Sequence, residues 1–115
     1  MKMEIKRHES GSRLSTAVEY GGIIYFSGLV GKGDTMTEQA KSILTRFEEL
    51  FHKYGTDKEH MLTAAVFLSD ISQKPDFDAV WCSWIIEGSA PTRYCVEAGL
   101  GTGVLAEVVI TAVKK

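Results

Sequence analysis

The fold turns on residues 90–115, APTRYCVEAGLGTGVLAEVVITAVKK, where two strand-like runs flank a glycine-rich break. Residues 94–98 and 105–113 read as strands, because β-branched and aromatic side chains crowd both runs and GLGTG supplies the connection. In the last run Val104, Ala106, Val108, Ile110 and Ala112 make one face wholly apolar, and Leu105, Glu107, Val109, Thr111 and Val113 make the other nearly so. A sheet face that meets water alternates toward polar residues. Neither face does so here, and the sequence therefore demands cover on both sides of the sheet.

Working upstream, Pro75 suits a first helical position, Phe77, Trp81, Trp84 and Ile85 form an apolar stripe, and Gly88 is expected to close that helix. Residues 69–74 read as a loop. Residues 61–68, MLTAAVFL, are a short apolar run whose length predicts a strand buried on both faces. Before it, Met36, Ala40, Ile43, Leu44, Phe47, Leu50, Phe51 and Tyr54 recur at helical spacing. Thr35 with Glu38 three residues later fits a capping box, and Gly55 supplies the stop. Lys41, Arg46, Glu49 and Lys53 occupy the opposite, solvated face. Residues 14–20 and 23–26 form a hairpin about Gly21 and Gly22. The SGLVGKGD loop at residues 27–34 has neither GxxxxGK[ST] nor GxGxxG, so its glycines read as turn residues rather than a phosphate cradle. The expected fold is α+β: one domain over residues 1–115, a mixed β-sheet with two helices on one face, in the order ββ-α-β-α-ββ.

Composition narrows the function. Thirteen Lys and Arg against fifteen Asp and Glu leave a net charge of −2 spread along the chain, which gives nucleic acid no basic footprint. No apolar stretch reaches the roughly 18–20 residues of a membrane span, and MKMEIKRHES has no apolar signal segment, so a cytoplasmic protein is expected. Cys82 and Cys95 are isolated and expected to be reduced thiols. His8, His52 and His60 show no ligand spacing, and no metal cofactor is expected. The second apolar face is most economically covered by another copy of the chain.

Glu107 is the outlier in the last strand, because carboxylates are seldom buried without a partner. It either lies near a strand end, pairs with a lysine in solvent, or meets Arg93. Alternation puts Arg93, Cys95 and Glu97 on one side of their strand, and antiparallel pairing of the last two strands would bring Arg93 toward the Glu107 face. Such a pair at a subunit seam serves either as a structural ion pair or as a site for a small acid.

SGLVG at residues 27–31, AAVFLSD ending at Asp70, the Trp81 and Trp84 pair, APTRYCVEAGL and AEVVITAVK together resemble the reactive intermediate deaminase family, also called Rid/YjgF or RutC-like. The likeness runs from Leu14 to Lys115, and Arg93 after APT with the short Ser27 loop looks closest to the YoaB-like branch. The resemblance implies a chorismate-mutase-like fold and a homotrimer with ligand sites in the clefts between subunits. It implies hydrolysis of enamines and imines such as 2-aminoacrylate to 2-oxo acids and ammonia, with no cofactor. The family's carboxylate-clamping arginine falls on Arg93 and its water-orienting glutamate on Glu107. Cys95, Ser27 and Gly28 fall where the cleft is lined, Cys95 without a nucleophilic role. The Ser27 hydroxyl either bonds a ligand or caps its own turn. Leu14 stands where many members have a cleft tyrosine, and Asp78 replaces an asparagine of the second helix. The alternative function is a non-catalytic trimer of the same fold that binds small carboxylates.

Overall fold

Gly21 and Gly22 adopt φ of 58° and 82°, the left-handed conformations a two-residue hairpin turn needs, and so join strands β2 (Ser15–Tyr20) and β3 (Ile23–Phe26). The computed structural model describes residues 3–115. Helix α1 (Met36–Tyr54) begins where the Thr35 hydroxyl accepts the Glu38 N–H at 3.1 Å and ends at Gly55, whose φ is 81°. Strand β4 (Met61–Leu68), helix α2 (Lys74–Trp84), strand β5 (Thr92–Glu97) and strand β6 (Ala106–Val113) follow.

One further strand, β1 (Lys6–Ser10), precedes the hairpin and pairs antiparallel with β2. Its sequence, KRHES, carries no apolar alternation, so the sheet gains a strand that hydropathy does not announce. The second helix is shorter than expected. It stops at Trp84, because Ile85 turns extended at ψ 156°, and Gly88 lies in the turn beyond.

The six strands form one mixed sheet in the order β1-β2-β3-β6-β4-β5, in which only β4 and β5 run parallel. Both helices cover one face. Ala106, Val108, Ile110 and Ala112 lose all solvent contact there, packed with Ile24, Val66, Leu68, Phe47 and Phe77. The opposite face is open within one chain, and Tyr25, Tyr94 and Val96 stand exposed on it. For the same reason β4 buries only Met61, Ala64, Val66 and Leu68, not both faces. The leftover apolar face inferred from the sequence is therefore a feature of the folded chain. Among the described residues, no helix is long and apolar enough to cross a membrane.

Candidate functional site

Glu107 is the second residue of β6 and pairs across the sheet with Phe67, which puts its side chain on the open face. It has no ion-pair partner among the described residues. Its close neighbour is the backbone of Gly28: a Cβ added there would stand 3.0 Å from Glu107 Oε2 and 3.1 Å from Cδ. Gly28 is thus the residue that lets a carboxylate lie against the main chain. The approach is fixed by two reciprocal backbone hydrogen bonds between Leu29 and Val108, at 2.9 and 3.1 Å. Those two residues directly follow Gly28 and Glu107.

The Ser27 hydroxyl donates to the Ser15 carbonyl at 2.6 Å, across the hairpin rather than within its own turn. Ser27 and Gly28 also line a cleft of about 400 Å³, with Leu14 and Thr16 on the hairpin side and Arg46 and Leu50 on α1. Leu14 is exposed at this rim. Buried Gln39 fixes the loops around the site. Its Nε2 donates to the carbonyls of Gly33 at 3.0 Å and Gly103 at 2.8 Å, while its Oε1 accepts the Leu105 N–H at 2.8 Å. Sequence reasoning passed over Gln39, yet a signal was present: position 39 falls inside the apolar stripe of α1, where a polar residue needs a buried partner.

Arg93 and Cys95 occupy a separate place. β5 pairs with β4 in parallel, not with β6, and Arg93 stands opposite Ala64 on the helix-covered side. The expectation of antiparallel pairing between the last two strands is thus corrected, because β6 inserts between β3 and β4 and leaves β5 at the edge. Arg93 and Glu107 of one chain lie on opposite faces, with β4 between their strands. They cannot reach one ligand.

Around Arg93 the partners come from α2. Its Nη1 lies 2.8 Å from Asp78 Oδ1, and its guanidinium carbon is 5.4 Å from the Trp81 ring centroid. Asp78 and Trp81 are three residues apart, so one helix face presents both. Lys74 Nζ is 2.8 Å from Asp78 Oδ2. Burial opposes ionisation of Asp78, but the Arg93 guanidinium beside it and the Lys74 ammonium that donates to it outweigh burial and hold the carboxyl below its usual range. Burial also pushes the half-buried Cys95 thiol up, against the pull of Arg93 and Lys74. A raised thiol is a poor nucleophile at neutral pH. Among the described residues no group of three or more His, Cys, Asp and Glu is arranged to hold a metal ion.

The sequence profile described as endoribonuclease L-PSP matches residues 4–114. A RutC family protein of Haemophilus ducreyi is 31% identical over 111 residues, covering 94% of this chain and 95% of that protein. The RutC family protein YoaB of Escherichia coli is 30% identical over 99 residues, covering 85% and 87%. Among solved structures, NMB1025 of Neisseria meningitidis, a member of the YjgF protein family, superposes with a TM-score of 0.95 at 36% identity over 98% of this chain and 97% of that one.

Proposed function

The chain belongs to the endoribonuclease L-PSP family, the Rid/YjgF proteins, and on that premise we propose that it hydrolyses 2-imino acids and their enamine tautomers to 2-oxo acids and ammonia. Water adds through its oxygen to C2 of the C=N bond, the C–N bond then breaks, and the nitrogen leaves as ammonia while C2 becomes a carbonyl. In this reading Arg93 holds the substrate carboxylate through parallel hydrogen bonds. Glu107 takes or steers a proton of the attacking water, a contribution that typically reaches about 10²- to 10⁴-fold. Cys95, Ser27 and Gly28 line the cleft. Because imines hydrolyse unaided, positioning supplies most of what is needed.

The observation that carries this reading is the separation of the two charged residues. A free carboxylate backed by Gly28 stands on one surface and an oriented arginine on another, in a chain that leaves an apolar sheet face open. Three copies closing on their open faces would bring the β5 edge that carries Arg93 in one subunit to the Glu107 and Gly28 surface of the next, and in this reading the protein works in the cytoplasm. The test is to generate 2-iminobutanoate in situ with an amino-acid oxidase and time the release of ammonia. Acceleration over buffer that is lost in Arg93→Ala supports hydrolysis. Tight binding of 2-oxobutanoate with a rate equal to buffer favours the non-catalytic carboxylate-binding trimer.

A further inference from the structure

Asp78 reaches toward β5 from α2, and its two oxygens meet two different cations, Arg93 at 2.8 Å and Lys74 at 2.8 Å. Asp78 Oδ1 and Arg93 Nη1 have both lost solvent contact, yet the pair is not aligned as a hydrogen bond. A guanidinium and a carboxylate at their best make two parallel bonds. Here they touch at one point, off axis, while Trp81 supports one face of the guanidinium. Arg93 is therefore held without being saturated. Its Nη1 contact with Asp78 is its one ion pair among the described residues.

We propose that Asp78 is a positioning residue acting through Arg93 as an internal competitor: its carboxylate holds the guanidinium before a ligand arrives and sets how strongly a ligand carboxylate is drawn to it. The inference rests on the reading of Arg93 as the carboxylate clamp. Lys74 completes the device. By sharing Asp78, it leaves the three side chains with one net positive charge, enough to attract a monoanion but less than a bare arginine and lysine would exert. Asp78 is held ionised by Arg93 and Lys74 against its burial, so the competitor keeps its charge at neutral pH. A substrate with a weakly basic carboxylate, such as a 2-oxo or 2-imino acid, displaces it only when both of its carboxylate oxygens engage the guanidinium.

The experiment measures pyruvate binding to the assembled protein by calorimetry, in wild type, Asp78→Asn, Lys74→Met and the double variant Asp78→Asn/Arg93→Ala. Asparagine keeps the shape and an acceptor oxygen but removes the competing charge, so Asp78→Asn is expected to tighten binding by about three- to tenfold. Lys74→Met leaves Asp78 facing Arg93 alone and is expected to weaken it by a similar factor. The double variant should not bind. A second readout needs no ligand: in a Cys82→Ser background, the pH profile of Cys95 alkylation should move to lower pH in Asp78→Asn and to higher pH in Lys74→Met. Pyruvate bound by wild type but equally or less tightly by Asp78→Asn overturns the competitor role and leaves the clamp standing. Binding by Asp78→Asn alone, lost with Arg93, supports the inference in its strongest form. Pyruvate bound by neither form contradicts the clamp itself and takes the inference with it. An unmoved alkylation profile in Asp78→Asn overturns the inference as well, since the Asp78 charge would then not reach the cleft.

Discussion

Arg93 sets a planar face against Trp81 and an edge toward Asp78, and the proposed clamp asks its second edge to take a ligand, three demands that a lysine cannot satisfy together. Arg93→Lys keeps the charge and loses the geometry. In the imine assay it should raise KM at least about tenfold with the fold intact, and an unchanged KM would remove the clamp. Glycine 28 offers a test of a different kind. A methyl group there would press on the flexible end of Glu107 at 3.0 Å, so Gly28→Ala should displace the carboxylate without unfolding the chain. Ammonia release should fall while 2-oxobutanoate binding persists, and a full rate would show that the close approach of Glu107 to the main chain is immaterial. Both residues were legible in the sequence as candidates. What the sequence withheld was their placement: period-two alternation assigns each side chain to a face of its own strand but says nothing of how β5 and β6 are ordered in the sheet. That order depends on long-range pairing, with β6 inserted between β3 and β4.

Elements whose boundaries are written in local chemistry were read closely, among them α1, with its Thr35 cap and Gly55 stop, and the hairpin about Gly21 and Gly22. Strand β1 was not, because its bonds to the rest of the fold are polar. His8 Nε2 lies 2.5 Å from Glu19 Oε2, the His8 ring packs on Tyr54, and Lys114 donates to Glu19 Oε1 at 3.0 Å. Glu19 is the charged residue buried beneath this latch. Burial works against its ionisation, but hydrogen bonds from Lys114 and His8 prevail and hold its carboxyl below the usual range. A carboxyl depressed in the folded state stabilises the fold above its unfolded value, and that stability is lost as pH falls through the folded value. Urea midpoints measured from neutral to acid pH should therefore decline more steeply in wild type than in Glu19→Gln. The variant itself should start lower at neutral pH, by about 1–3 kcal/mol for the partners it strands. Parallel declines would show that the latch does not couple β1 to protonation.

At the scale of the whole molecule, one sheet face is packed under two helices and the other is apolar and open, with the arginine and the glutamate on different surfaces. Light scattering should return three times the 12.7 kDa chain mass. A stable monomer at micromolar concentration would contradict both the assembly and the shared site. The sequence made the second apolar face visible through β6, whose two faces are both poor in charge, because burial leaves its mark on composition whichever chain supplies the cover. It could not show that Arg93 and Glu107 stand apart within one chain, since that follows from sheet order and register.

The claim that the reacting groups come from two subunits is tested most directly by mixing chains. Arg93→Ala and Glu107→Gln, each assembled alone, should be inactive toward 2-iminobutanoate. Unfolded and refolded together in equal amounts, with mixed trimers verified by native mass spectrometry, they should recover about a quarter of the wild-type rate, because random three-fold assembly leaves that share of interfaces with an intact Arg93 facing an intact Glu107. Mixed trimers that form and remain inactive would contradict the shared site.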